Sequence, residues 1–202
     1  MITIIDYGMG NLGSIQNMLK KIGVDCIISS NLKDIELADK LILPGVGSYA
    51  QAMQNLNELG LIPFIKEKVL SQTPMLGICL GMQLLSTHSE EGDVNGLNII
   101  PGNVTKFNLP EKYKVPHMGW NLINYNKDCP LFKDFETIDE VRYYFVHSYF
   151  YKLDSEVNQI ASTNYGQEFT CGIQHGSVYG VQFHPEKSHK FGMRLLTNFS
   201  QL

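Results

Sequence analysis

Tryptophan occurs once in the 202-residue chain and cysteine four times, as Cys26, Cys79, Cys129 and Cys171. The cysteines are scattered, and none makes a C-x-x-C pair, so neither a structural zinc site nor a disulfide framework is expected. Three of them read as small buried hydrophobes; Cys79 is set apart by its surroundings. Runs of Lys and Arg are missing and the formal net charge is −4, which argues against nucleic acid as the main partner, because phosphate binding needs clustered cations. No apolar stretch approaches the ~20 residues that span a bilayer, so no membrane association is expected. The first residues enter an apolar strand without a charged leader, and a cytoplasmic chain is expected.

The hydrophobic fraction of 44% and charged fraction of 18% are ordinary for a globular protein with a real core. Over the first ninety residues, short apolar runs alternate with helical patterns. Ile2–Asp6, Val24–Ser29, Lys40–Leu43 and Pro74–Ile78 read as strands. Leu12–Ile22 carries apolar residues at Leu12, Ile15, Leu19 and Ile22, the spacing of a helix. Tyr49–Asn57, Leu61–Leu70 and Leu80–His88 read as further helices. This alternation predicts βαβ units and a mainly parallel sheet covered on both faces. From Leu97 the rhythm changes. Leu97–Phe107, Arg142–Phe150, Asn158–Thr163 and Glu168–Gln174 follow one another without long helices, predicting antiparallel hairpins. A strand at "VYGVQF" and a helix at His189–Phe199 close the chain. With no linker, repeat or low-complexity tract, residues 1–202 read as one α/β domain: a central, mainly parallel sheet flanked by helices, plus a small antiparallel sheet.

The opening "ITIIDYGMGNLGS" places Gly8, Gly10 and Gly13 in the G-x-G-x-x-G spacing of dinucleotide-binding turns. That fingerprint needs an acidic residue at the end of the second strand to hold a ribose. Here the strand ends in "IISSN", and Asp34 falls beyond it in the next turn, so the glycines are assigned to turn geometry.

The sharpest signal is "PMLGICLGMQLL", residues 74–85. An apolar strand runs into Gly77-Ile78-Cys79-Leu80-Gly81 and a helical pattern begins at once, as in a nucleophile elbow with Cys in place of Ser. Such a turn exposes the side chain at a helix N-terminus, where partial positive charge favours a thiolate. The amide of Leu80 would be free to hold an oxyanion. A thiolate nucleophile works with a histidine oriented by a third group. Of the six histidines, only His184 has a carboxylate two residues on, in "QFHPEKS". If that segment is extended, His184 and Glu186 point to the same side, with Pro185 limiting the backbone. On its own, such a tripeptide after a strand is more often an ordinary loop; the cysteine elbow ahead of it in the chain reverses that reading. His88, His117, His147, His175 and His189 are assigned to surface or packing. Pro44-Gly45-Val46-Gly47 ends a strand where ligand crevices open in parallel sheets, and its amides could supply a second oxyanion donor; alone it reads as a tight turn.

Together, "PGVGS", "GICLGMQLL" and "GVQFHPEKS", in that order, resemble the class I (triad-type) glutamine amidotransferases. The stretches "IIDYGMGNLGS", "VPHMGWN", "YYFVHSYF" and "LLTNFSQL" narrow the resemblance to the glutaminase subunits that serve imidazole glycerol phosphate synthases. The resemblance implies a flavodoxin-like fold, no cofactor or metal, and L-glutamine as substrate. It implies Cys79 as nucleophile, His184 as base and acid, and Glu186 as the orienting carboxylate. Amides near Gly47 and Leu80 would hold the oxyanion. Gln83, Glu91 and the backbone at Ser148 and Tyr149 would bind the glutamine head group. It further implies a (β/α)8-barrel synthase subunit as heterodimeric partner, receiving ammonia across a face around Asn11, Trp120 and Tyr143–His147, and a peptide flip in "PGVG" as a switch. Imidazole glycerol phosphate and AICAR would be the products in histidine biosynthesis. Two departures from the usual pattern, "EKSHKFGMRLL" and "QHGSVYG", keep open a related glutaminase that feeds a synthase-like barrel for acetamidino sugars of surface glycans.

Overall fold

The computed structural model describes residues 1–202 except Thr137 and Asp139. Four strands and four helices alternate at first: β1 (Ile2–Ile5), α1 (Leu12–Lys21), β2 (Cys26–Ser29), α2 (Leu32–Glu36), β3 (Lys40–Leu43), α3 (Tyr49–Glu58), α4 (Leu61–Leu70) and β4 (Met75–Ile78). A single helical turn, α5 (Leu80–Gln83), follows β4 directly. Strands then dominate: β5 (His88–Ser89), β6 (Val94–Asn95), β7 (Gly102–Lys106), β8 (His117–Leu122), β9 (Asn124–Tyr125), β10 (Arg142–His147), β11 (Tyr149–Leu153), β12 (Gln159–Asn164), β13 (Glu168–His175) and β14 (Val178–Val181). Helix α6 (His189–Ser200) ends the chain.

Among the described residues the main sheet has the order β2-β1-β3-β4-β14-β13-β11-β7-β5-β6. It is parallel from β2 through β14 and antiparallel across β14/β13, β13/β11 and β11/β7. β8 and β10 form a separate antiparallel pair. The expected mainly parallel core with a small antiparallel sheet is therefore present. The largely apolar runs of β1 and β4 are explained by their place in it, because every residue of both strands is buried. One core packs Ile2, Ile4, Ile42, Leu76 and Ile78 with Ile15 and Leu19 of α1 and Leu195, Leu196 and Phe199 of α6. A second packs Ile5, Leu41, Leu43 and Met75 with Leu56 of α3 and Leu61 and Ile65 of α4. No helix among the described residues is long and apolar enough to cross a membrane.

Four expectations change. The helix predicted over Leu80–His88 stops at Gln83, because the loop 97–100 takes its carbonyls: Leu97 N–H donates to Leu84, Asn98 N–H to Ser86, and Ile99 and Ile100 N–H to Leu85. His88 then joins β5. The single run Arg142–Phe150 is two strands that part at Ser148, β10 entering the small sheet and β11 the large one. β8 forms without having been read as a strand. The residues after "IISSN" form α2, capped by Asn31 Oδ1 accepting from Lys33 N–H at 2.9 Å.

Candidate active site

Cys79 sits between β4 and α5 with φ 54° and ψ −110°, a strained conformation for a residue with a side chain. Its N–H donates to Val181 O at 2.8 Å, so β14 holds the strained residue in place. The turn is possible because of Gly81, where a Cβ would lie 1.8 Å from Leu43 O. Helix α5 is only one turn long, and its dipole gives an anion little support. The nearer polar group is the Gln182 side chain, whose Nε2 approaches Cys79 Sγ at 3.7 Å. Sequence reasoning passed over Gln182, although strand alternation in "VQFH" puts residues 182 and 184 on one side.

His184 and Glu186 come together as expected, with Nδ1 and Oε1 2.7 Å apart and both side chains buried. The reason differs from the expectation. Residues Pro185–Lys187 form a 3₁₀ turn rather than an extended segment, and the turn brings the carboxylate round to the ring. The His184 backbone is pinned twice, its N–H donating to Tyr144 O at 2.9 Å and its carbonyl accepting from Ser188 Oγ at 2.6 Å. Nε2 is buried with no nitrogen or oxygen partner. Burial opposes a charge on this ring, but the Cys79 sulfur and the Glu186 carboxylate beside it outweigh burial and push the His184 pKa up to about 10. These neighbours favour the protonated ring, with the Glu186 carboxylate in contact at Nδ1.

In front of Cys79 lies a cavity of about 260 Å³, lined by Val46, Gly47, Cys79, Leu80, Gln83, Glu91, Val146, His147, Ser148 and Tyr149. Gly47, Leu80, Gln83, Glu91, Ser148 and Tyr149, six positions separated by up to a hundred residues in sequence, meet around one sulfur. Gln83 is held rather than solvated: its Nε2 donates to Tyr149 O at 3.0 Å and to Gln182 Oε1 at 2.9 Å. Burial raises the Glu91 carboxyl above its usual range, against the Tyr49 backbone amide, which lowers it. His147 also lines the cavity, which corrects its assignment to packing alone.

The loop over the cavity is braced from the opening motif. Tyr7 is buried and donates its hydroxyl to Pro44 O at 2.5 Å, and Asn55 Nδ2 donates to Tyr7 O at 3.0 Å. Gly47 adopts φ +107°, which a side chain would resist. The Leu80 amide, expected to be free, lies 3.4 Å from Gly45 O. A loop carbonyl thus faces the amide expected to be free.

The sequence model of the family Glutamine amidotransferase class-I matches residues 3–201. The chain belongs to that family. Subunit HisH 2 of imidazole glycerol phosphate synthase from Methanococcus maripaludis is 52% identical over 200 residues, covering 98% of each chain. Subunit HisH from Sulfurimonas denitrificans is 50% identical over 206 residues, covering 100% of this chain and 98% of the other. HisH 2 of Pseudomonas aeruginosa is 44% identical over 203 residues, with both chains fully covered. Among solved structures, a glutamine amidotransferase superposes with a TM-score of 0.76 at 17% identity, covering 100% of this chain and 98% of that one. PurLQS from Thermotoga maritima gives 0.76 at 19%, covering 99% and 97%. At such identities the likeness is one of fold.

The expected partner face is partly redrawn. Within the run Tyr143–His147 of β10, Tyr143, Phe145 and His147 are buried and Tyr144 and Val146 half-buried, so the whole run cannot be a contact surface. β8 alternates in step with its register partner, burying His117 opposite His147 and exposing Met118, Trp120 and Leu122. Trp120 is 44% exposed and stacks on His189 at 5.7 Å and 7°. Asn11 is exposed as expected.

Proposed function

We propose that this amidotransferase is the glutaminase subunit of a two-subunit synthase, the whole chain serving as one glutamine-hydrolysing domain in the cytoplasm. The observation that carries the reading is the single cavity joining Cys79 to Gln83, Glu91, Ser148 and Tyr149, with the His184–Glu186 pair buried behind the sulfur. Cys79 Sγ attacks the carboxamide carbon of L-glutamine, forming a carbon–sulfur bond and a tetrahedral oxyanion. His184 gives its proton to the leaving nitrogen, the C–N bond breaks, and ammonia leaves a γ-glutamyl thioester. His184 then takes a proton from water, which attacks the thioester and releases glutamate and the Cys79 sulfur. Glu186 keeps the ring oriented and compensates its charge. Glu91 suits the substrate's ammonium and the Ser148 and Tyr149 backbone its carboxylate end, while Gln83, its Nε2 engaged by Tyr149 O and Gln182 Oε1, shapes the head-group pocket beside them.

The oxyanion is received by the Leu80 amide and a loop amide near Gly47. Gly45 O now occupies that direction, so turning one peptide of Pro44-Gly45-Val46-Gly47 replaces a carbonyl with an N–H and switches the site on. A partner docked at the exposed face of Asn11, Met118, Trp120 and Leu122 is placed to drive that change and to take ammonia before water protonates it. The names of the similar proteins favour an imidazole glycerol phosphate synthase as the assembly; within this reading the partner is a (β/α)8 barrel that makes imidazole glycerol phosphate and AICAR in histidine biosynthesis. A second reading, ammonia supply to a synthase-like barrel for acetamidino sugars, is favoured by one observation. His189 and Lys190, from the divergent "EKSHKFGMRLL", line the same groove as Trp120, so the departure from pattern falls beside the docking face.

The chemistry is tested by incubating the chain, with a barrel partner, with a glutamine-shaped electrophile and mapping the adduct by mass spectrometry. Modification at Cys79 that glutamine prevents is expected. Labelling elsewhere, or labelling that glutamine leaves unchanged, contradicts the assignment.

A further inference from the structure

Behind the Ser148–Tyr149 wall of the cavity runs a chain of buried polar side chains that the proposed reaction does not use. His117 of β8 and His147 of β10 are register partners. His117 Nδ1 lies 3.0 Å from His147 Nε2. At one end His147 Nδ1 lies 2.8 Å from Tyr149 O. At the other, His117 Nε2 lies 3.4 Å from Asn121 Nδ2. Phe145 and Tyr165 stack on the His117 ring with centroids 4.8 and 4.2 Å away.

The direction of this chain is set from both ends. A carbonyl oxygen only accepts, so His147 Nδ1 carries the hydrogen. Nε2 of a neutral ring is then the acceptor, and the hydrogen between the rings belongs to His117 Nδ1. His117 Nε2 is left to accept from the Asn121 amide. The orientation of Asn121 is fixed independently, because its Oδ1 accepts from Leu122 N–H at 2.9 Å and its Nδ2 donates to Asn164 O at 2.9 Å. Both ends demand the same polarity. Burial pushes the pKa of His117 down to about 4 and of His147 down to about 3, which keeps a second proton off both rings near neutral pH.

The carbonyl at the end of the chain is the one that also holds Gln83, and Gln83 leads through Gln182 to the Cys79 sulfur. The chain therefore crosses from the small sheet to the large one at Ser148, where the two sheets part.

We propose that His117 and His147 are positioning residues for the glutamine pocket: locked as Nδ1–H tautomers, they hold the Tyr149 carbonyl, and with it Gln83 and the Ser148 backbone, in the geometry that receives substrate. This rests on the glutaminase reading above. A pair serving only as packing can carry the same tautomers but leaves affinity for a glutamine-shaped ligand untouched; a positioning pair does not.

The test has a spectroscopic and a kinetic arm. Nitrogen-15 NMR of histidine-labelled protein is expected to give both rings as neutral Nδ1–H tautomers, assigned by their loss or shift in His117→Phe. In the kinetic arm, saturable inactivation of Cys79 by 6-diazo-5-oxo-L-norleucine, with the barrel partner present, is compared with simple alkylation by iodoacetamide. His117→Phe keeps the stacked ring and removes the donor. It should raise the half-saturating concentration of the glutamine-shaped reagent about tenfold, the scale of one buried hydrogen bond, leaving its limiting rate and the iodoacetamide rate near wild type. His117→Asn, whose amide can donate where Nδ1 did, should restore most of the loss. An Nε2–H tautomer at either ring, or unchanged half-saturation in His117→Phe, overturns the proposal. A wild-type Cys79 that takes iodoacetamide but ignores the glutamine-shaped reagent overturns the glutaminase reading and the positioning role together, and that contrast between reagents tells the two failures apart.

Discussion

Three side chains carry the proposed chemistry at the residue scale, and each is constrained by something other than its own reactivity. Cys79 is held in a strained conformation by Val181 O, and His184 is pinned by Tyr144 and Ser188. Glu186 touches the ring through one oxygen while its Oε2 stays buried and unpartnered. Replacing Glu186 with Gln keeps the shape but removes the charge that stabilises the imidazolium. Glutamate release is expected to fall roughly 10²–10⁴-fold, the usual worth of positioned acid–base catalysis, with little change in KM. The buried histidines also set a pH profile of stability. His117 and His147 have native pKa values of about 4 and 3, against an ordinary value of 6.5 in the unfolded chain. Below about pH 6.5 the unfolded chain therefore binds protons that the native one refuses, and stability falls with falling pH. His184 has the opposite sign. Its native pKa is about 10, so its contribution is complete below 6.5 and is lost as pH rises through 10. Urea midpoints should peak near neutrality and fall on both sides, and His117→Phe should flatten the acid limb. An acid limb unchanged in that variant contradicts the assignment.

The elements explain why these residues meet. Five parallel strands deliver loops to one edge, and the β4–α5 turn can be sharp only because residue 81 lacks a side chain. Gly81→Ala would drive a Cβ to 1.8 Å from Leu43 O, so a loss of about 3 kcal/mol or more in urea unfolding is expected, together with loss of Cys79 labelling by glutamine-shaped reagents. Much of this scale was legible in the sequence. Continuous apolar runs revealed buried parallel strands, and the Gly-flanked Cys79 and the His-Pro-Glu turn revealed the elbow and its histidine. The illegible parts have physical reasons. The helix at Leu80 looked long because Leu84 and Leu85 continue its apolar pattern, yet their carbonyls are claimed by a loop more than ten residues away. β10 and β11 looked like one strand because the break at Ser148 lies in which sheet each half joins, a tertiary fact. His147 looked like packing because its partner, His117, lies thirty residues upstream. The contact face was overdrawn for a simpler reason: strand alternation buries Tyr143, Phe145 and His147, and the run had been read without it.

At the scale of the whole molecule, the site and the exposed apolar face are two sides of one arrangement. β8 turns His117 and Asn121 inward toward the pocket wall and Met118, Trp120 and Leu122 outward. A partner seated on the outer side therefore presses on the strand that anchors the inner one. Trp120 is 44% exposed and its removal leaves the cores intact. Trp120→Ala should weaken association with the proposed synthase partner by about 2 kcal/mol or more, roughly thirtyfold, while urea unfolding of the free chain stays within about 0.5 kcal/mol of wild type; a large loss of stability with unchanged association contradicts the role. The measurement that bears most directly on the whole account is glutamate release from L-glutamine by the chain and by Cys79→Ala. Each is assayed alone and with the proposed synthase partner, with and without that subunit's own ligand. The account predicts little release from the chain alone, where Gly45 O blocks the Leu80 amide, strong release with partner and ligand, and none from Cys79→Ala. Release that persists in Cys79→Ala, or that is as fast without the partner as with it, contradicts it.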